Sequence, residues 1–384
     1  MERDAYYMKK ALEIAAYACG RTSPNPLVGS VIVKDDRIVG QGWHRKAGTP
    51  HAEIHALNQA GELAEGATVY VTLEPCSHTG RTGPCADALV KAGVKRVVIA
   101  MVDPNPAVAG NGIRKLEAAG IEVTSGLMAK EAAELNRVFI KWISTKMPYV
   151  IVKSAMSLDG KIATDTGESK WITNEMARGY GHCLRDMCDG IVVGIDTVIA
   201  DDPSLTTRLD GAVGKNPIRI VLDSKARMPL ESKMLHDGQA PVIVITTNEA
   251  DANKVQALEN VGATVIKVNA KDGHVDIREA FIKLGARQIS SLLIEGGAKI
   301  VSSVIRENLA DELMTFIAPI LIGGKEAPSA FGALGVSHLA DAVTLEDVAV
   351  ETLDGNYLFR GYFKNRGGRD VYRTCGRIGE SQNN

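Results

Sequence analysis

Three side chains near the N-terminus, His51, Cys76 and Cys85, form a metal-ligand set. Zinc binds imidazole and thiolate together, and a catalytic zinc keeps its fourth position for water. Glu53 stands two residues after His51. A carboxylate that is not a ligand suits proton transfer between that water and a leaving group. Three protein ligands with a free carboxylate therefore point to hydrolysis rather than to a structural zinc.

The pattern His51-Ala52-Glu53 followed by Pro75-Cys76 and a second cysteine matches the signature of zinc-dependent amine deaminases. The usual Cys-x-x-Cys spacing is stretched, because eight residues, Ser77 to Pro84, separate the two cysteines. Glycine and proline in that segment favour a turn that returns Cys85 to the same metal. His78 and Arg81 would then lie beside the substrate. His55, one helical turn past His51, raises the alternative of a second histidine ligand as in His-Glu-x-x-His, but the glutamate is misplaced for that motif. Glu53 has its own structural alternative, complementing a helix dipole.

The elements that must position these residues alternate along the chain. Helices are expected over 5–19, 51–60 and 84–92, and strands over 28–33, 37–43, 68–73 and 96–101, with a turn at Asp35-Asp36. Interleaving of this kind gives an α/β sheet covered on both faces. His51 and Cys85 both fall at helix starts, where partial positive charge stabilises thiolates. On a regular helix His51 and Glu53 are about 200° apart. They share one site only if the first turn points end-on at the metal.

The chain has 384 residues, which implies two domains. Its 45% hydrophobic and 23% charged residues suit a soluble protein, and the net charge of −2 gives no basic surplus for a nucleic acid. Six dispersed cysteines imply free thiols in a reducing compartment. The charged N-terminus is no signal peptide, and no apolar run is long enough to span a membrane. A cytoplasmic protein is expected.

Thr145-Lys146-Met147-Pro148 marks the expected domain junction, giving domains of 1–146 and 147–364 and a loose tail of 365–384. Beyond it, strands are expected over 150–155, 190–194, 218–222, 242–246 and 291–294, and a helix over 298–307. No Gly-x-Gly-x-x-Gly is present. Glu295-Gly296-Gly297 does lead from a strand into a helix whose N–H groups could cradle a phosphate.

The chain resembles the bifunctional riboflavin biosynthesis family, RibD, from about residue 5 to about 363. The matching segments include Ser23 to Gly29, His51-Ala52-Glu53, Thr72 to His78, Asp103 to Pro106, Lys153 to Lys161, Ser169 to Thr173, Asp201 to Thr206 and Glu295-Gly296-Gly297. Gly83 stands where the family usually has a second proline. The resemblance implies a cytidine-deaminase-like three-layer α/β/α domain followed by a dihydrofolate-reductase-like α/β domain. It implies one Zn2+ per chain, NADPH, and 2,5-diamino-6-ribosylamino-4(3H)-pyrimidinone 5′-phosphate as substrate. The first site would release the 2-amino group as ammonia, and the second would reduce the ribosyl group to ribityl.

By the same resemblance, Lys153 and Asp201 are catalytic positions of the reductase, alongside Glu53 in the deaminase. Asp201 also belongs to the cofactor set, with Ala155, Trp171, Thr197, Ser224 and the run Gly297, Ala298, Lys299, Ile300, Val301, Ser302 and Ser303. Asn25, His78, Ser169, Arg185, Leu205, Arg208 and Glu295 fall on substrate contacts. Arg185 and Arg208 have forks suited to a phosphate. Structural alternatives stand beside these roles: turn chemistry for Asn25, a snorkelling stem for Lys153, strand-end capping for Asp201 and Glu295, and core packing for Trp171. The expected partners are a small nucleotide-like substrate and other copies of this chain, with neither nucleic acid nor membrane. A deaminase of nucleic acid and a zinc-stabilised scaffold are the competing readings. The near-neutral charge opposes the first, and Glu53 with an open metal position opposes the second.

Overall fold

The protein is described here from a computed structural model covering residues 2–77, 83–105 and 108–364. Two compact units divide between Lys146 and Met147. The expected tail of 365–384 lies outside the described residues.

In the first unit the chain runs through α1 (Glu2–Ala15), β1 (Gly29–Lys34), β2 (Arg37–Trp43), α2 (Ala52–Ala60), β3 (Thr68–Val71) and α3 (Cys85–Lys91). It continues through β4 (Arg96–Ile99), α4 (Asn111–Ala118), β5 (Glu122–Ser125), α5 (Ala129–Leu135) and α6 (Arg137–Thr145). The five strands form one sheet in the order β2-β1-β3-β4-β5. β1 is antiparallel to β2 and β3, while β3, β4 and β5 run parallel. The β1–β2 turn has left-handed backbone at Asp35 and Asp36, with φ of 47° and 61°. Aspartate tolerates this region, and it suits a tight hairpin turn.

Apolar residues of β1, β3 and β4, such as Ile32, Val71 and Val98, pack with Met8, Ala11, Ala52 and Ala56 from the helices. One contact fixes the site. A Cβ on Gly42 of β2 would stand 2.5 Å from His55 Cβ and 2.6 Å from the Ala52 carbonyl oxygen. Real Cβ atoms do not approach so closely, so α2 lies against β2 only because residue 42 is glycine. The N-terminus of α2 carries His51 and Glu53, and their height above the sheet follows from that contact.

The second unit contains β6 (Tyr149–Ser157), α7 (Glu175–Met187), β7 (Gly190–Gly194), α8 (Ile195–Asp201), β8 (Ile218–Leu222) and α9 (Lys233–His236). It continues with β9 (Val242–Thr247), α10 (Ala252–Asn260), β10 (Thr264–Val268), β11 (Ala270–Lys271), β12 (His274–Val275) and α11 (Ile277–Ala286). The last elements are β13 (Ser291–Ile294), α12 (Ala298–Arg306), β14 (Glu312–Ala318), β15 (Leu345–Leu353) and β16 (Asn356–Phe363). Nine strands make its main sheet, ordered β10-β9-β8-β7-β13-β6-β14-β16-β15. The strands from β10 to β14 are parallel, and β16 and β15 close the sheet antiparallel. Val152 of β6 is level with Ile294 of β13, and that register sets Lys153 beside Glu295.

Several elements lay outside the sequence reading, among them α4 to α6, β5 and β14 to β16. β15 explains why: residues 347–352 are exposed on both faces, so the strand shows neither alternation nor an apolar run.

The Gly42 contact yields a prediction. Gly42→Ala should overpack the α2–β2 seam at a cost of about 1–3 kcal/mol. The melting temperature should fall and bound zinc should drop below one per chain. Parental melting and zinc content would show that α2 has room to shift.

Candidate functional site

His51, Cys76 and Cys85 bring one donor atom each to within 4.8 Å of one another. His51 Nδ1 lies 3.2 Å from Cys85 Sγ and 3.5 Å from Cys76 Sγ. A tetrahedral ion with Zn–S and Zn–N bonds of ordinary length needs donors about 3.5–3.8 Å apart. The donor set fits zinc in both chemistry and spacing. His51 caps α2 from extended backbone, and Cys85 is the first residue of α3. Two helix starts therefore aim at one point, which is how His51 and Glu53 come to share a site.

The thiols are tuned for a cation. The Cys85 thiol hydrogen-bonds to Cys76, and with His51 and the Cys85 backbone N–H it pulls the Cys76 pKa down to about 4, against the effect of burial. That backbone N–H donates to Cys76 Sγ at 3.3 Å. Without a cation Cys85 keeps its proton, since the hydrogen bond to Cys76 and burial both push its pKa up.

Glu53 is buried, 3% exposed, and hydrogen-bonded with Cys85. Burial is the main cause that lifts its pKa to about 7. A carboxyl poised near neutrality can both accept and return a proton.

The loop before Cys76 is locked by Glu74, which is buried. Its carboxylate accepts backbone N–H groups from Asp103 at 3.2 Å, Gly110 at 2.9 Å, Gly112 at 2.8 Å and Ile113 at 3.4 Å. A Cβ on Gly112 would sit 2.0 Å from the Pro75 carbonyl oxygen, so the start of α4 presses directly on the metal loop. Asn25 reaches the neighbourhood through His44: its Nδ2 lies 3.2 Å from His44 Nε2, and the His44 ring packs edge-on against His51. His55 is outside the donor cluster, with a buried Nε2 that has no hydrogen-bond partner. His78 and Arg81 lie outside the described residues.

The second unit gathers charge around Glu295, just past the end of β13. Arg185 of α7 holds it by two bonds, Nε to Oε1 at 3.3 Å and a shorter one from Nη2 to Oε2. Lys153 Nζ is 3.9 Å from Oε1. Burial alone would raise the Glu295 pKa, but Lys153 and Arg185 outweigh it and hold the pKa below the ordinary value. Arg185 also donates to the Thr206 carbonyl at 2.9 Å, so its fork is committed within the protein. Among the described residues Arg208 donates from Nη1 to Thr206 Oγ1 at 3.1 Å and from its backbone N–H to His182 Nδ1 at 3.3 Å. His182 is pushed down to about 4 by burial and by the charges of Arg185 and Arg208. Nothing in the sequence alone marked His182 or His44, and Glu74 stood out only as part of the Thr72 to His78 segment, with no role of its own.

A glycine turn lies next to this cluster. Gly297 has φ of +47° and caps α12. A Cβ on Gly296 would meet Val193 at 3.1 Å and Thr197 Oγ1 at 3.3 Å. The first N–H groups of α12 have no acceptor inside the helix. This cradle fits a cofactor phosphate. Val301 is in the core, and Ser302 Oγ accepts from the Gly332 N–H at 2.7 Å, so on these two residues only backbone could face a ligand. Ala298, Lys299, Ile300 and Ser303 occupy the rest of the same helix, with Lys299 Nζ 3.6 Å from Asp196. Ala155 follows Lys153 on the same face of β6. Trp171 is 70% exposed, which removes core packing as its role, and Arg178 lies over its ring. Ser224 Oγ accepts from the Val275 N–H at 3.0 Å. Asp201 ends α8 with an exposed side chain and makes none of the ion pairs around Glu295. Ser169 is exposed on a loop, and Leu205 buries its side chain, leaving its main chain for contact.

Comparison with known proteins places both units. Residues 1–101 match the cytidine and deoxycytidylate deaminase zinc-binding region, and residues 148–359 match the RibD C-terminal domain. The riboflavin biosynthesis protein RibD of Bacillus amyloliquefaciens is 45% identical over 97% of this chain and 100% of its own. That of Escherichia coli is 44% identical over 88% and 94%. Among solved structures, Acinetobacter baumannii RibD, form 1, superimposes with a TM-score of 0.86 at 42% identity, covering 95% of this chain and 99% of that one. A Thermotoga maritima diaminohydroxyphosphoribosylaminopyrimidine deaminase/5-amino-6-(5-phosphoribosylamino)uracil reductase gives 0.82 at 36% identity, covering 94% and 99%. The first unit is thus cytidine-deaminase-like and the second has the reductase fold of dihydrofolate-reductase type.

The metal centre yields a paired prediction. Cys85→Ser should lose most bound zinc, because one of three donors is weakened. Glu53→Gln should keep one zinc per chain, since Glu53 is outside the donor set. Metal analysis of the purified proteins checks both, and full zinc in Cys85→Ser would refute the ligand assignment.

Proposed function

The chain belongs to the RibD family and is a bifunctional deaminase and reductase of riboflavin biosynthesis that uses zinc and NADPH; on that premise we propose that its substrate is 2,5-diamino-6-ribosylamino-4(3H)-pyrimidinone 5′-phosphate. Its relatives support this, the Thermotoga maritima protein being named for both reactions. We assign deamination to residues 1–146 and reduction to residues 147–364.

The observation that carries the reading is the buried carboxylate of Glu53 set against three soft donors. Zinc, when bound, supplies Lewis acidity that makes water a nucleophile near neutral pH. Glu53 takes the proton of the attacking water and delivers it to the leaving 2-amino group, which departs as ammonia. A pKa of about 7 suits both halves of that transfer. Asn25 holds the pyrimidine.

NADPH, when bound in the second unit, would supply hydride to C1′ of the sugar, whose bond to the ring oxygen breaks to leave a C1′=N double bond; the freed oxygen takes a proton as a hydroxyl, and the nitrogen takes a proton as the hydride adds. Lys153 carries positive charge to the reacting sugar, and Glu295 holds that ammonium in place. With the Arg185 fork committed to Glu295 and Thr206, Arg208 takes the 5′-phosphate. The Gly296-Gly297 turn and Thr197 hold cofactor phosphate. Asp201, one turn beyond Thr197 on the same face of α8, serves the cofactor side.

Self-association belongs to the proposal as well. β15 is the edge of the large sheet and exposes Val348 and Val350. An exposed sheet edge is a template for another strand. Sedimentation of the full chain should show an oligomer, and a monomer at all concentrations would exclude it.

The full chain given the diaminopyrimidine phosphate should release ammonia and then oxidise NADPH. Glu53→Gln should cut ammonia release by about 10²–10⁴-fold, yet reduce the deaminated substrate normally. Gly297→Val should raise the NADPH Kd and spare deamination. Ammonia release within a few-fold of the parent in Glu53→Gln would remove Glu53 as the proton carrier.

A further inference from the structure

The metal-bearing unit contains a buried histidine that the chemistry above does not use. His44 is 3% exposed and stands outside the donor cluster, with its ring centroid 5.4 Å from that of His51. Its backbone N–H donates to the Val28 carbonyl at 2.9 Å, which ties it to the segment carrying Asn25.

Two contacts determine how the ring is used. Nδ1 lies 3.3 Å from the Pro50 carbonyl oxygen. A carbonyl only accepts, so Nδ1 carries the hydrogen. In a neutral imidazole the other nitrogen is then an acceptor. The atom facing Nε2 is Asn25 Nδ2, an amide nitrogen that only donates, so Nε2 is that acceptor. The 3.2 Å contact between Nε2 and Asn25 Nδ2 is therefore a bond donated by the amide. This fixes an amide that could otherwise rotate, and it directs Asn25 Oδ1 away from His44 as an acceptor. The main chain is equally constrained. The Asn25 N–H donates to Thr22 at 2.8 Å, while the buried Asn136 accepts the Leu27 N–H at 2.8 Å and donates to the Leu27 carbonyl at 3.0 Å.

We infer that His44 is a positioning residue: it orients the Asn25 amide so that Oδ1 faces the donor-rich edge of the pyrimidine, where the departing amine and a ring N–H lie. An inverted amide would set N–H against N–H. This inference rests on the substrate reading above and goes beyond it by naming the group that sets recognition of an amine-bearing ring.

A double-mutant cycle on the zinc-loaded full chain tests it, with zinc content, ammonia release and calorimetric binding of the deaminated product 5-amino-6-(5-phosphoribosylamino)uracil as readouts. His44→Phe keeps the ring and loses both nitrogens. It should retain one zinc per chain and lose roughly 10–100-fold in kcat/KM, mainly through KM. Asn25→Ala should lose a similar factor. The double variant should be no worse than Asn25→Ala, because residues acting through one contact are not additive. His44→Gln, which restores an acceptor near Nε2, should recover product affinity to within a few-fold of the parent, and it carries the test if His44→Phe does not fold. Multiplicative losses in the double variant, loss of zinc from His44→Phe, or a His44→Gln no better than His44→Phe would each overturn the role. A parental chain that neither releases ammonia nor binds product would instead overturn the substrate reading.

Discussion

Cys76 can hold a metal only if the loop entering it is stationary, and Glu74 makes it so. A carboxylate buried without partners is expensive to desolvate. Here four backbone N–H groups at the start of α4 and the loop before it surround it. Three of those donors, on Gly110, Gly112 and Ile113, sit at a helix N-terminus, where negative charge is favoured. Removing the carboxylate would strand them at about 1–3 kcal/mol each. The arrangement also gives α4 its role. It supplies no metal ligand, yet through Glu74 and the Gly112–Pro75 contact it fixes where the first thiolate stands. The Gly42 contact does the same for His51 from the opposite side of the sequence, and α3 brings the last donor.

The reductase unit solves a related problem with the signs reversed. Lys153 and Arg185 both point at one position beyond the end of β13, and Glu295 occupies it. The carboxylate keeps the two cations from repelling one another and leaves a net positive region for an anionic ligand. Parallel register supplies the geometry, since β6 outruns β13 and places Lys153 level with Glu295. This is the usual location of ligands in open α/β sheets, at the carboxyl ends of the strands.

The metal set was legible from residue type alone, because few combinations other than His, Cys and Cys with a nearby carboxylate have that chemistry. Most strands with apolar runs were legible for the same kind of reason. What escaped was whatever depends on contacts between distant segments. Glu74 looks like any glutamate before a proline, and its importance arises from residues near position 110. His44 sits in a polar stretch, and only Pro50 and Asn25 show its tautomer. Arg185 reads as a phosphate grip until Thr206 and Glu295 are seen to hold it. β15 escaped because its exposed faces erase the period on which strand recognition relies.

The central position of β6 also imposes an order of events during synthesis. Its two neighbours, β13 and β14, are residues Ser291–Ile294 and Glu312–Ala318, whereas β6 itself ends at Ser157. The ribosome must add about 130 residues before the first of them exists, a delay of roughly 7–30 s at ordinary elongation rates. Every strand pairing among the described residues of the metal-bearing unit lies within residues 29–125 and is available well before then. Throughout that interval Val150, Ile151 and Val152 form an apolar strand with no partner on either side, the kind of segment that chaperones bind and that aggregates when they do not. The nascent chain is therefore most vulnerable after its first unit has folded and before residue 291 emerges.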